Sequence, residues 1–253
     1  MGASEPAVLV ADIEGTLTDK SGRETGPRLL KSLSLLEKNG VPLILCSGRG
    51  ADYMVELRRK WGLDPRQPAV AENGCSIFMN GTETPTYNIH EFDRVRISER
   101  LRATGAEKLG EFDPVKKHEI TLYPKGFIAG KDYTAADIQR IYKFVRRSLE
   151  GVPCNIFYTS ASGEVLPEGV DKGTGLKFLF RKLGRSPAEA LFLGDGQNDL
   201  PAARYLLGGG GLVGVPANGH PELKQLASFV SDKEYHEGAS DILEHFFTAL
   251  RKP

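Results

Sequence analysis

The sequence is poor in the features that mark a secreted, membrane-spanning or nucleic-acid-binding protein. It holds three cysteines, Cys46, Cys75 and Cys154. Odd in number and far apart, they make neither a disulfide framework nor a zinc pattern, and they fit a reducing cytoplasm. The five histidines (His90, His118, His220, His236 and His245) show no paired ligand spacing. No apolar run approaches the length of a membrane span, and the opening MGASEP lacks the basic and apolar stretches of a signal peptide. Met1-Gly2 starts a myristoylation pattern that Pro6 fails to complete. Neither sign of charge dominates, with 33 Lys and Arg against 33 Asp and Glu. That balance gives no bulk field for nucleic acid or an anionic membrane, and neither is expected as a partner. Internal repeats and low-complexity segments are missing too.

What is present begins at Val8–Thr18, read as VLVADIEGTLT. A short apolar run that ends in a turn predicts a buried parallel strand. Asp12 then stands at its carboxyl tip, where open α/β sheets bind their ligands. Glu14 follows two residues on and can face the same way in an extended segment. Gly15 lets the backbone turn and approach a ligand closely.

Alternation of strand and helix follows. Leu29, Leu30, Leu33 and Leu36 recur at helical spacing between Pro27 and Gly40, and the strand Val41–Cys46 breaks at Ser47-Gly48-Arg49. Tyr53, Leu57 and Trp61 mark a second helix, closed by Gly62, ahead of a short strand at Ala69–Ala71 and a hairpin turn at Asn80-Gly81. This rhythm predicts right-handed parallel units. It resumes after Pro167 with a helix near Gly173–Leu183 and a strand Ala190–Leu193 ending in Gly194-Asp195-Gly196-Gln197-Asn198-Asp199. Gly208–Gly211 follows a helix and precedes a strand, the reverse of a phosphate cradle, and reads as a plain turn.

Between these halves the rhythm changes. Helical stretches near Glu91–Ala103 and Thr134–Leu149 alternate with strand-like His118–Tyr123 and Asn155–Thr159. The expected organisation is a catalytic core over residues 1–81 and 167–253, with a small α+β domain inserted over 82–166. The insert carries 13 Lys and Arg and 12 Asp and Glu, a net of +1. Its densest basic group is Lys116-Lys117-His118 with Lys125.

The polar groups at strand tips form a candidate site: Asp12, Glu14, Ser47, Asp195, Asn198 and Asp199, with Lys172 at the mouth of the helix before the last of them. Two like charges about 4 Å apart repel by roughly 4 kcal/mol at an effective dielectric near 20. Asp12, Glu14, Asp195 and Asp199 together therefore call for a cation, and oxygen donors without Cys or His favour Mg²⁺. The same set suits phosphoryl transfer. Asp12 would attack phosphorus, Glu14 would serve as acid and base, and Lys172 and Ser47 would position the phosphoryl oxygens. Lys177 competes for the lysine role from one helical turn further on.

These motifs resemble those of the haloacid dehalogenase superfamily. Asp12–Thr18 is similar to its first motif, Ser47-Gly48-Arg49 to its second, Asp171-Lys172-Gly173 to its third and Gly194–Asp199 to its fourth. Glu72-Asn73-Gly74, and Asn218-Gly219 ahead of Pro221-Glu222-Leu223, resemble segments of the Cof-type sugar-phosphatase branch, which carries an α/β cap between motifs two and three. Mannosyl-3-phosphoglycerate phosphatase, sucrose-phosphate phosphatase and archaeal-type phosphoglycolate phosphatase are the similar enzymes. The resemblance implies a Rossmann-like core and a Mg²⁺-dependent phosphatase of a small phosphorylated metabolite, monomeric or homodimeric. It also implies that the carbonyl at position 14 ligates the metal. The family's usual Asp at that position is Glu14 here.

Ser47, Gly48, Arg49 and Asn198 are accordingly expected at the phosphate or substrate, and Lys117 and Lys125 at the substrate's remainder. The alternatives are a sugar phosphomutase of the phosphomannomutase type and a silent phosphate-ligand-binding protein in which Glu14 disables the acid/base step.

Overall fold

In a computed structural model, residues 5–159 and 161–250 are described; the opening Met1-Gly2 pattern lies outside them. The chain begins with β1 (Val8–Ala11), α1 (Pro27–Lys38), β2 (Leu43–Cys46), α2 (Ala51–Trp61), β3 (Ala69–Ala71), β4 (Ser76–Met79) and β5 (Thr82–Pro85). Next come α3 (Arg94–Ala103), β6 (Gly110–Phe112), β7 (Ile120–Pro124), α4 (Ala135–Ser148), β8 (Cys154–Tyr158) and β9 (Gly163–Pro167). It closes with α5 (Lys172–Leu183), β10 (Ala190–Leu193), α6 (Leu200–Gly208), β11 (Leu212–Val215), α7 (Pro221–Leu226), β12 (Phe229–Val230) and α8 (Tyr235–Phe246).

Two compact units result, Met1–Thr84 with Asp171–Pro253, and Pro85–Val170. The change of rhythm in the sequence puts the insert at 82–166 instead. Both shifts have a local cause. β5 extends the core sheet, so residues 82–84 stay with the core. The Asn155 side chain donates to the Val170 carbonyl at 3.0 Å, which ties the far end of the insert to β8.

The core unit holds one sheet in the order β12-β11-β10-β1-β2-β3-β4-β5. Pairing is parallel from β12 to β3, and β4 runs antiparallel to β3. Side chains alternate across it. Leu9 and Ala11 of β1 join Leu33, Met54 and Ile242 on one face, while Val8 and Val10 join Leu176, Leu179 and Ala203 on the other. Helices thus cover both faces, which is why the strands read as unbroken apolar runs rather than alternating ones. From β1 the chain winds outward to β2 and β3, and from β10 it winds the opposite way to β11 and β12. The reversal leaves a crevice at the carboxyl ends of β1 and β10. The Asn80-Gly81 hairpin forms as expected, both residues left-handed at φ 55° and 79°. Gly208 ends α6, and 209–211 form a plain connection to β11.

The insert holds an antiparallel sheet in the order β6-β7-β9-β8. Ile120, Leu122 and Val165 pack on Ile97, Leu101, Ile141 and Val145 of α3 and α4. A capping box between Thr134 and Asp137 starts α4. Two strands escape the sequence pattern. β6 is three residues long, and β9 reads GEVLP, where Gly, Glu and Pro mask the strand character.

Candidate active site

β1 ends at Ala11, and Asp12 extends its ladder by donating its backbone N–H to the Leu193 carbonyl at 2.9 Å. Beyond it the chain folds back on the Ile13 carbonyl, which accepts the backbone N–H of Leu17 at 2.9 Å and of Thr18 at 3.1 Å. This tight turn needs Gly15 at φ 80°, and a Cβ there would stand 2.3 Å from Asp195 Oδ2. Position 15 is therefore closed to any side chain by both its backbone and its neighbour.

The crevice gathers Asp12, Asp195 and Asp199, which can each present an oxygen within 4.8 Å of the others. Each carboxylate has different supports. Asp195 accepts the Thr16 hydroxyl at 2.7 Å on Oδ1 and the Asn218 amide at 3.3 Å on Oδ2. The same Asn218 amide donates to the Gly15 carbonyl at 2.8 Å, and its Oδ1 accepts the Tyr235 N–H at 2.7 Å. Asp199 is fully buried. Its Oδ2 accepts the backbone N–H of Asp195 and Gly196, at 2.9 and 2.8 Å, and its Oδ1 accepts Lys172 Nζ at 2.6 Å.

Lys172, the first residue of α5, is sealed from solvent and also stands 3.0 Å from Asp12 Oδ1. That second contact is ionic rather than a directed hydrogen bond, for Asp12 Oδ1 is buried without a hydrogen-bond donor. Asp171 caps α5 by accepting the Thr174 N–H at 2.8 Å, which fixes the helix start and so the lysine. Lys177, the competing lysine, is exposed.

Electrostatics follow from this crowding. Burial, reinforced by Asp199 and Asp12, pushes the Asp195 carboxyl well above the ordinary carboxylate range. Burial also lifts Asp199, to about 6, with Lys172 opposing the rise. Burial alone would lower the Lys172 ammonium, but Asp12 and Asp199 carry it well above its usual range. Three carboxylates and one ammonium leave two negative charges when all are ionised. A divalent cation would relieve that excess. Hard carboxylate oxygens, one of them lacking a donor, suit Mg²⁺. Cys46 lies beside this cluster, but burial pushes its thiol up, which keeps it un-ionised.

Glu14 goes elsewhere. Its carboxylate is ion-paired to Arg49 Nε and accepts the Ser47 hydroxyl at 3.2 Å. The side chain expected as a fourth metal ligand therefore stands with motif two, outside the three-carboxylate group. At position 14 only the backbone carbonyl remains to serve a metal in the way the resemblance implies. The Arg49 guanidinium lies over the Tyr53 ring, 4.9 Å from its centre. Asn198 donates its side-chain amide to Asn73 Oδ1 at 3.1 Å.

In the insert, Lys117 and Lys125 are exposed, and Lys125 Nζ donates to the Glu107 carbonyl at 3.1 Å. Lys116 is not part of a basic surface, because it is buried against Glu119. His118 Nδ1 lies 3.3 Å from the Tyr87 hydroxyl. Thr16 and Asn218 bond to Asp195, and Asn73 to Asn198, contacts that apolar runs and their polar terminators do not reveal. The motif segments around them were the only signal of their place.

The family profile of sucrose-6F-phosphate phosphohydrolase matches residues 5–246. The chain belongs to that family. It is thus a phosphatase of the haloacid dehalogenase type, acting on phosphorylated small molecules. Among curated relatives, a phosphoglycolate phosphatase of Methanopyrus kandleri is 27% identical over 240 residues, covering 94% of this chain and 95% of that protein. A Thermoplasma acidophilum crystal structure superposes with a TM-score of 0.75 at 23% identity, over 96% of this chain and 99% of the other. The sucrose-phosphatase of Synechocystis, solved with sucrose and phosphate, gives a TM-score of 0.68 at 17% identity, over 96% and 98%. These two likenesses speak to the fold. No helix among the described residues is long and apolar enough to cross a membrane.

Proposed function

We propose that this chain is a Mg²⁺-dependent phosphatase that works through a phosphoryl group carried on Asp12. The observation that carries the reading is Asp12 Oδ1: buried, lacking a hydrogen-bond donor, and 3.0 Å from a sealed ammonium. Such an oxygen keeps a lone pair for phosphorus while Lys172 holds the carboxylate in place.

The Asp12 carboxylate attacks phosphorus, and the bond to the substrate oxygen breaks. Glu14 gives the departing alkoxide a proton, then takes one from water as that water attacks the aspartyl-phosphate. Cleavage of the phosphorus–oxygen bond to Asp12 releases inorganic phosphate and restores the enzyme. Ser47 and Asn198 hold phosphoryl oxygens, with the backbone around Gly48 close by, and Lys172 offsets charge shared between Asp12 and the phosphoryl group. Asp12 and Asp195, with the carbonyl at position 14, would hold Mg²⁺. Asp199, both of whose oxygens are already engaged, organises Lys172 and the 195–196 backbone. Bound there, Mg²⁺ neutralises charge on the phosphoryl oxygens.

The substrate we favour is a small phosphorylated carboxylic acid such as phosphoglycolate, over sucrose phosphate and simple hexose phosphates. Full-length relatives of that name support it. So does Arg49, a half-exposed cation beside Glu14 that suits a carboxylate next to the phosphate. The insert, with Lys117 and Lys125, supplies the remaining discrimination. The test is a phosphate-release screen over phosphoglycolate, glycosyl-phosphoglycerates, hexose phosphates and nucleotides, with Lys117→Ala and Lys125→Ala beside the wild type. Hexose phosphates leading, with neither substitution changing kcat/KM, would overturn the acidic-substrate reading.

A further inference from the structure

Between β3 and β4 the backbone adopts a left-handed conformation at three successive residues, Glu72 (φ 47°), Asn73 (φ 53°) and Gly74 (φ 99°). Glycine takes such angles freely and asparagine tolerates them, but glutamate does so only where the surroundings hold it. Here the surroundings are the motifs of the site. The backbone N–H of Asn73 donates to the Ser47 carbonyl at 3.1 Å, and that of Glu72 to the Arg49 carbonyl at 3.0 Å. A Cβ on Gly48 would meet the Asn73 amide at 3.1 Å, so the Ser47–Arg49 loop lies directly on this side chain. A Cβ on Gly74 would stand 2.0 Å from the Asp171 carbonyl, at the residue before Lys172. Asn73 Oδ1 accepts the Asn198 amide at 3.1 Å, across 125 positions of sequence. One buried turn thus touches the second, third and fourth motifs together.

We propose that Asn73 is a positioning residue for phosphoryl transfer, setting the Asn198 amide and the Ser47 loop in register with each other. The inference rests on the reading of Asn198 and Ser47 as phosphoryl contacts. It differs from a merely structural role in a way that a substitution separates. A turn that only needs left-handed backbone is served as well or better by glycine. A positioning side chain is not, because glycine leaves the Asn198 amide without its acceptor.

The test compares Asn73→Gly, Asn198→Ala and the double variant in the full-length Mg²⁺-loaded protein. Three readouts are taken: kcat/KM for an aryl phosphate, the melting temperature, and the shift in melting temperature produced by inorganic phosphate. Asn73→Gly is expected to remain cooperatively folded yet lose roughly 10- to 10²-fold in kcat/KM, the range a small misplacement of a contact produces. It should also show a smaller phosphate-induced shift. In the Asn198→Ala background the same change should add less than about threefold, because the group it positions is already gone. Wild-type turnover in Asn73→Gly, or losses that multiply in full in the double variant, overturn the proposal. A wild-type protein that releases no phosphate overturns the phosphatase reading instead. In that case the phosphate-induced melting shift across the same variants still decides the positioning role.

Discussion

Lys172 Nζ donates to Asp199 Oδ1 at 2.6 Å, and both side chains are shut off from solvent. Removing one partner of a buried pair strands the other as an uncompensated charge, at a cost of about 3–5 kcal/mol. Lys172→Ala should therefore lower the melting temperature measured in EDTA, and lower it less near pH 5, where Asp199, lifted to about 6, is largely protonated. An unchanged melting temperature at pH 8 would contradict the sealed pair.

The raised carboxyl groups set the pH dependence of the metal-free protein. The folded state keeps protons on Asp195 and Asp199 after the unfolded chain has released them near pH 4. The native state then binds more protons, so this contribution to stability declines as pH rises from about 4 through about 6. A Mg²⁺ ion held by Asp12 and Asp195 would compete with the Asp195 proton. Its stabilisation, about 2.7 kcal/mol at a hundredfold excess over Kd, should be larger at pH 7.5 than at pH 5. Calorimetry with and without Mg²⁺ at both pH values checks this, and an increment independent of pH would count against Asp195 as a ligand of the cation.

Gly15→Ala places a methyl against Asp195 and forces a side chain into φ 80°. The backbone penalty alone exceeds roughly 1 kcal/mol. The larger effect should be on Mg²⁺ affinity, since Asp195 must move. Titration of Mg²⁺ by melting temperature should show weakened binding, with Ser21→Ala, in the exposed loop beyond the turn, as a control that leaves it unchanged.

Much of the core was legible in the sequence because parallel strands buried on both faces leave uninterrupted apolar runs, as in Val8–Ala11 and Ala190–Leu193. Their polar terminators, Asp12, Ser47 and Asp195, followed from that. Contacts set by tertiary closure were not legible. Nothing local to Glu14 says that its carboxylate meets Arg49, 35 positions away, rather than the other carboxylates. Asn218 joins Gly15 and Asp195 across 203 and 23 positions, so no spacing rule reaches it. Lys116 reads as part of a basic run and is an internal ion pair, because burial is invisible to a charge count.

Glu14, held by Ser47 and Arg49, is assigned the acid and base steps. Glu14→Gln should slow substrates with alkoxide leaving groups by roughly 10²–10⁴-fold. With an aryl phosphate, the first step needs little protonation and should be spared. Pre-steady-state measurements should then show a burst followed by slow turnover. Equal and negligible losses for both substrates would make Glu14 a structural residue.

If phosphate passes through Asp12, acid-quenched peptide mapping during turnover of an aryl phosphate with Mg²⁺ should find it there. The Glu14→Gln protein should carry one phosphoryl group on the peptide containing Asp12, more than wild type does at steady state, and Asp12→Asn should carry none while remaining folded. Unmodified Asp12 in Glu14→Gln during its burst, or full turnover by Asp12→Asn, would rule out a phosphoryl group carried on Asp12.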